Sequence, residues 1–225
     1  RALKMHGGVK KDDLKTENLK ALEAGMSNLQ RHVENVQKFG LVPVVSINRF
    51  SADTDAEIAL VKSACAKLGV EAVMADHWAE GGKGAVDVAR AVVKAVDSGK
   101  SNMKLLYPDD MPLVEKIRTI AKEIYRARDI AIAKPVQDQL ASFEAMGFGK
   151  VPVCIAKTQY SFSTNPDSKG APTDHVVTVR EVRLSAGAEF VVAVCGDIMT
   201  MPGLPKVPAA NSIDIGPDGK IVGLF

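Results

Sequence analysis

Two short apolar runs, each followed by a polar loop and a helix signal, constrain this chain more than any other feature. The first run covers residues 41–47 and the second covers residues 70–75. A long amphipathic helix precedes the first run, because apolar residues recur at gaps of three and four through residues 19–36. Apolar runs of this kind are typical of parallel strands covered on both faces. The order helix–strand–helix–strand–helix therefore predicts an α/β fold with a doubly wound, mostly parallel sheet.

The pattern becomes less regular after residues 105–128, which predicts a second unit. We expect residues 1–125 to belong to the α/β domain and residues 126–225 to form a smaller α+β domain. Its predicted elements are two short strands and two hairpins, at residues 130–133, 151–156, 176–195 and 213–222.

The composition argues against several classes of function. The 225 residues carry a formal net charge of +2 with acidic and basic residues interleaved, which predicts no nucleic-acid or membrane partner. No apolar run approaches the ~18 residues of a membrane span and no signal peptide is recognisable, so we expect a cytoplasmic protein. Cys65, Cys154 and Cys195 are scattered through apolar or helical contexts, which predicts buried thiols rather than disulfides or a zinc site.

Two local signals bear on how the elements begin. Thr54, followed three residues later by Glu57, predicts a capping box at the start of the helix after the first strand. Residues 1–8 resemble the tail of a strand, and the chain begins at Arg1 without an initiator methionine. We therefore expect a fragment or a processed half of a longer protein.

One large aromatic residue follows each apolar run. Phe50 and Trp78 both lie in polar loops, in a chain that is only 5% aromatic and has one tryptophan. Open parallel sheets bind ligands at the carboxyl ends of their strands. The two rings therefore either hold a flat ligand between them or cap the core, and the pattern alone leaves both interpretations open.

Other candidate sites are weaker. No phosphate-binding loop with Walker spacing occurs in the sequence. Residues 80–84, with Gly81 and Gly82, form either an anion-binding or ligand-binding loop or a tight turn before a helix. His6 opens a His-Gly-Gly segment that is able to present backbone to a ligand. Asp76 and His77 do not suit an acid–base pair, because adjacent extended residues point apart. The histidines lack metal-ligand spacing.

Several longer motifs, taken together, resemble the formate–tetrahydrofolate ligase family. They stand in order along the whole chain at residues 1–8 (RALKMHGG), 47–54 (INRFSADT), 76–84 (DHWAEGGKG), 156–161 (AKTQYS), 200–205 (TMPGLP) and 222–225 (VGLF). The resemblance is to the carboxyl-terminal portion of that enzyme and implies a P-loop-type doubly wound sheet. It also implies that ATP phosphorylates formate, and that the tetrahydrofolate amine then attacks formyl phosphate to give 10-formyltetrahydrofolate, ADP and phosphate.

The resemblance also implies site residues and cofactors. Phe50 and Trp78 match the aromatic residues that sandwich folate in the family, and Met74 matches an apolar position of the same pocket. Asn48 and Arg49 are candidates for polar ligand contacts because of their place at the strand end. The implied cofactors are ATP with Mg²⁺ and a monovalent cation, K⁺ or NH₄⁺, and the implied assembly is a homotetramer.

The family's phosphate-binding loop has no counterpart in these residues. We therefore expect no catalytic residue here, an inactive polypeptide when alone, and the missing amino-terminal part of the enzyme as its partner. The alternatives are another ATP-dependent ligase of the same fold class, or a non-catalytic assembly half. Motifs at residues 158–160 and 201–203 resemble family hallmarks for which the sequence gives no chemical role.

Overall fold

The computed structural model describes residues 1–198 and 207–223. The helices are α1 (Ala2–His6), α2 (Leu19–Lys38), α3 (Asp55–Lys67), α4 (His77–Glu80), α5 (Val86–Asp97), α6 (Leu113–Glu123) and α7 (Lys134–Phe143). The strands are β1 (Val44–Asn48), β2 (Glu71–Ala75), β3 (Asp129–Ile132), β4 (Val153–Ala156), β5 (Val176–Ser185), β6 (Phe190–Cys195), β7 (Asp214–Ile215) and β8 (Ile221–Val222). Within the described ranges, no helix has both the length and the apolar character needed to cross a membrane.

The first sheet consists of β1 and β2, which pair in parallel from Val44 opposite Glu71 to Asn48 opposite Ala75. Helix α3 connects the two strands, and α5 packs on both of them. Pro43 lies just before β1, so the proline removes no hydrogen bond from the ladder. The predicted α/β class with parallel strands is confirmed, while the doubly wound, P-loop-type arrangement stays a prediction.

The second sheet has four strands in the order β3-β5-β6-β4. Strands β5 and β6 form the predicted antiparallel hairpin, and β3 and β4 add to its two edges in parallel. Helices α6 and α7 close its core, in which Leu113, Ile117, Leu140 and Val191 are fully buried. Strands β7 and β8 form the predicted terminal hairpin.

Residues 2–6 form helix α1, so the prediction of a strand tail there is wrong. The helical backbone hydrogen bonds are local, as in the 3.0 Å bond from the Met5 N–H to the Arg1 carbonyl. The helix docks closely on α2, because a Cβ atom at Gly25 would lie 1.8 Å from the Leu3 carbonyl oxygen. This close approach between two helices leaves no signal in the periodicity of residues 1–8.

The expectation of three buried thiols is wrong for one of them. Cys65 and Cys195 are buried, whereas Cys154 is exposed, and all three are free. Cys154 lies on β4, an edge strand of the second sheet, and its side chain faces away from the core.

A stripe of polar side chains on α2 connects the two halves of the chain. The Asn28 amide donates to the Gly170 carbonyl at 2.9 Å, and the Asn35 amide donates to the Ile124 carbonyl at 3.0 Å. Phe162 packs against the His32 ring at 4.7 Å between centroids and against the Arg31 guanidinium at 5.6 Å. Helix α2 therefore has an apolar stripe and a buried polar stripe, and the domain division at residue 125 stays a prediction.

We expect His6 to make the fold sensitive to acid. Its Nδ1 accepts the Gly170 N–H at 3.1 Å, which requires an unprotonated nitrogen. Burial, and then the positive charge of Lys169 and His32, lower the pKa of His6 below its usual value. The pKa of a histidine in the unfolded chain is about 6.5. The stability that the His6–Gly170 hydrogen bond contributes is therefore present above that pH and is lost as the pH falls through the lower pKa of the folded state.

Urea unfolding of the unsubstituted chain and of His6→Asn, at pH 7.5 and pH 5.5, measures the effect. Asparagine offers an acceptor oxygen near the Nδ1 position that does not titrate, so His6→Asn should lose less stability on acidification. Equal losses in the two proteins would contradict the assignment.

Candidate functional site

The carboxyl ends of β1 and β2 lie side by side at one edge of the first sheet. Asn48 and Ala75 are the last paired residues, and the Arg49 N–H extends the ladder by donating to the Ala75 carbonyl at 3.1 Å. The loops that carry Phe50 and Trp78 therefore start from the same level of the sheet. The structure brings together the two strand ends that the sequence singled out.

Phe50 is held in a short turn directly after β1. The Phe50 N–H donates to Oδ2 of Asp53 at 2.9 Å, and the Asp53 N–H donates to the Phe50 carbonyl at 3.0 Å. The Phe50 side chain is 41% exposed, and the Arg1 guanidinium lies over its ring, 4.1 Å from the centroid. The Arg1 guanidinium thus covers one face of a ring that stays partly open to solvent.

Trp78 lies in the short helix α4 and is 89% exposed, the highest value for a large apolar side chain in the part of the chain the structure describes. The loop around it closes on itself, because the Asp76 N–H donates to the Gly84 carbonyl at 3.0 Å. Only glycine fits at position 84, since an added Cβ would lie 2.4 Å from the Asp76 carbonyl carbon. This closed loop presents the indole to solvent rather than to the core.

A cavity of about 300 Å³ lies next to β1 and below Phe50. Its apolar walls come from α1, α2, β1 and α3. Its polar lining consists of Arg1, Lys4, Ser46, Asn48, Asp53 and Glu57. The cavity therefore combines apolar walls with polar side chains, and Phe50 is one of its lining residues.

A buried ion pair forms part of this polar lining. Lys4 Nζ lies 2.9 Å from Glu57 Oε1, and the two side chains are 2% and 6% exposed. The Asn18 N–H also donates to the Glu57 carboxylate at 3.0 Å, and Lys4 donates to the Thr16 carbonyl at 3.2 Å. Burial raises the pKa of Glu57, but the Asn18 N–H and the Lys4 ammonium outweigh it and hold that pKa below its ordinary value.

The predicted capping box has a further partner. The Thr54 hydroxyl accepts the Glu57 N–H at 3.3 Å, as the sequence predicts. The Glu57 carboxylate pairs with Lys4, and a hydrogen bond from the Thr54 backbone also helps to lower the Glu57 pKa. Sequence reasoning missed this role because the partner lies 53 positions earlier (57 − 4) and no local pattern connects the two.

The remaining predicted residues are distributed around the two loops. Arg49 and Asp76 form a half-exposed ion pair at 3.9 Å that joins the loops, and Asn48 accepts a hydrogen bond from the Ser46 hydroxyl at 3.4 Å. Met74 is partly buried on β2, opposite Ile47.

Two of the predicted contacts, Phe50 and Asn48, line the cavity, and the other six, Trp78, Met74, Arg49, His6, Gly81 and Gly82, lie outside it. Gly81 and Gly82 are exposed in a 3₁₀ turn, Gly81–Ala85. His6 contacts Gly170 on the other side of α1. Their ligand contacts stay predictions.

Lys157, in the family motif at residues 156–161, has a structural role that the sequence did not reveal. The Lys157 ammonium donates to the carbonyls of Thr158 at 3.1 Å, of Ser163 at 3.4 Å, and of Ser161. It also lies over the Tyr125 ring, 4.7 Å from the centroid, and burial lowers its pKa to about 8. The sequence signal that could have predicted this role is a lysine placed directly after an apolar strand. The motif at residues 201–203 lies outside the described residues.

Comparison with known proteins matches the whole chain. The family model described as formate–tetrahydrofolate ligase covers residues 1–225. Proteins named formate–tetrahydrofolate ligase are 60% identical in Granulibacter bethesdensis, 56% in Hyphomonas neptunium and 55% in Pelagibacter ubique. Each alignment covers 100% of this chain but only 39%, 40% and 40% of the respective relative. The chain thus spans about 40% of the length of the curated relatives it matches.

The fold and the site define an α/β protein in which two parallel strand ends present exposed aromatic residues. The family match is more specific. The chain belongs to the formate–tetrahydrofolate ligase family.

We expect Glu57→Gln to destabilise the chain by about 3–5 kcal/mol, because it leaves the buried Lys4 ammonium without its counter-charge. Adding Lys4→Met to Glu57→Gln should restore part of the loss, since no unpaired charge then remains. The exposed Glu80→Gln is the control, with an expected change within about 0.5 kcal/mol. Urea unfolding measures all three, and a loss below about 1 kcal/mol in Glu57→Gln would show that the pair is not structurally important.

Proposed function

We propose that this chain is the folate-binding part of an ATP-dependent formate–tetrahydrofolate ligase. In the proposed reaction the γ-phosphoryl group of ATP passes to formate, giving formyl phosphate and ADP. The tetrahydrofolate amine then attacks the formyl carbon, the C–O bond to phosphate breaks, and 10-formyltetrahydrofolate and phosphate form. The observation that carries the proposal is the family match over every residue of the chain. It favours this activity over that of another ATP-dependent ligase of the same fold class.

The folate ring system would lie between Phe50 and Trp78. The two residues follow adjacent parallel strand ends, the position at which open α/β sheets bind ligands, and both rings are exposed. Stacked aromatic pairs gain roughly 0.5–1.5 kcal/mol beyond burial. Met74 would contribute an apolar contact, and Asn48 and Arg49 would face the polar edge of the ligand. Further contacts from His6, Gly81 and Gly82 are part of the same proposal.

No recognisable phosphate-binding loop for ATP with Mg²⁺ occurs among the described residues. The sequence contains no Walker-type loop. Within residues 1–198 and 207–223, no three His, Cys, Asp or Glu side chains are placed to hold a metal ion. No step through ATP is therefore assigned to these residues. The K⁺ or NH₄⁺ ion and the homotetramer implied by the resemblance stay predictions.

The open edge of β1 supports a second role in assembly. Among the described residues, β1 pairs only with β2, and the cavity of about 300 Å³ is lined by Val45 to Asn48 of this strand. Leu3, Leu29 and Ile58 contribute apolar surface to the same cavity. We propose that an extended apolar segment from the remaining length of the enzyme adds to β1 as a parallel strand.

Folate binding is testable on the chain by itself, because Trp78 is its only tryptophan. Titration with folate should quench the Trp78 emission, and Phe50→Ala should weaken binding by roughly 2- to 10-fold. Tyr160→Ala is the control, since Tyr160 is a half-exposed aromatic residue in the loop after β4. Absence of quenching from a chain shown to be folded by circular dichroism would refute the folate site.

Assembly is tested by co-expression with the part of the Granulibacter bethesdensis relative that this chain does not match. We expect the two polypeptides to copurify and to form 10-formyltetrahydrofolate from formate, ATP and tetrahydrofolate. The chain alone should be inactive. Formylation by the chain alone would contradict the expected inactivity, and failure of two folded polypeptides to copurify would contradict strand addition at β1.

A further inference from the structure

Asp53 determines where the Phe50 backbone lies. Its carboxylate accepts the Phe50 N–H at 2.9 Å, and its own N–H donates back to the Phe50 carbonyl at 3.0 Å. The main chain of Phe50 is therefore bonded to Asp53 in both directions. Of these two bonds, only the first depends on the Asp53 side chain.

This side chain is not needed to start the helix that follows. Thr54 is the N-cap residue of α3, and its hydroxyl accepts the Glu57 N–H at 3.3 Å. Glu57 in turn is fixed by Lys4 at 2.9 Å. Removing the Asp53 carboxylate thus leaves the cap and the buried ion pair in place, so its effect should be confined to Phe50.

The other end of the same turn is anchored to the loop of Trp78. The Arg49 N–H donates to the Ala75 carbonyl at 3.1 Å, and the Arg49 side chain pairs with Asp76 at 3.9 Å. The turn that carries Phe50 is therefore held at one end through Arg49 and at the other end by Asp53. The Phe50 side chain is 41% exposed, and the Arg1 guanidinium lies over its ring.

We propose that Asp53 is a positioning residue for the ligand that stacks on Phe50. In this role it orders the Phe50 backbone before the ligand arrives, so that less conformational freedom is lost on binding. The inference rests on the proposed function, because it requires a flat ligand at Phe50 and Trp78. A carboxylate is not essential for this role, since any acceptor oxygen at the same position keeps the bond.

Three variants of the chain separate this role from a general loss of stability. Asp53→Ala removes the acceptor, Asp53→Asn keeps an amide oxygen in its place, and Asp55→Ala removes an exposed carboxylate from the first turn of α3. Folate affinity is measured by quenching of Trp78, and the order of the Phe50 amide by ¹⁵N relaxation without ligand. We expect Asp53→Ala to raise the Kd about tenfold and to increase motion of the Phe50 amide.

The two matched variants should behave differently. We expect Asp53→Asn and Asp55→Ala to stay within about twofold of the unsubstituted chain in affinity, with an ordered Phe50 amide. Equal order of that amide in Asp53→Ala and in the unsubstituted chain would overturn the role of Asp53, whether or not folate binds. Unchanged affinity in Asp53→Ala would overturn it as well. Absence of quenching in the unsubstituted, folded chain would instead overturn the folate site on which the inference rests.

Discussion

The buried ion pair between Lys4 and Glu57 connects the parts of the first half that the sheet alone does not connect. Lys4 belongs to α1, Glu57 belongs to the first turn of α3, and their remaining hydrogen bonds reach the segment before α2, at Thr16 and Asn18. Charges buried in this way are tolerated only when each is paired and hydrogen-bonded. Because α3 begins immediately after the turn that holds Phe50, the ion pair also limits where that turn lies.

The parallel pairing of β1 with β2 is a second constraint on the position of the turn that holds Phe50. Five residue pairs keep β1 and β2 in register, so the loops that follow them leave the sheet at one level. Each loop is then closed by its own contacts: the Asp53 carboxylate for one, and the close approach of Gly84 to Asp76 for the other. The two paired strands, each followed by a short closed loop, therefore present aromatic residues without burying them. This arrangement suits a ligand with a flat apolar surface.

Much of this arrangement could be predicted from the sequence. The strands and the hairpin of β5 and β6 follow from apolar runs bounded by turn residues, and the position of Phe50 follows from the general behaviour of parallel strand ends. Two of the failures share a physical cause. The docking of helix α1 depends on Gly25, and the position of the Glu57 carboxylate depends on Lys4, so each involves a contact between segments distant in the chain.

Lys157 was missed for a different reason. Its carbonyl acceptors are nearby in sequence, but backbone oxygens carry no residue signature that a sequence pattern can detect. The exposure of Cys154 was missed because it follows from an edge position in the sheet order, which local composition does not encode.

The polar stripe of α2 has a consequence for the order of folding. The helix itself forms from local contacts, but the amide of Asn28 finds its partner at Gly170, 142 positions away. Closing so long a loop costs entropy before the contact stabilises anything, and such contacts slow folding. We therefore expect helix α2 to form early, with part of its surface unsatisfied, and to gain its distant contacts late. We expect the loop near Gly170 to be among the last segments to reach its native position, so that α2 exposes the Asn28 amide to water until then.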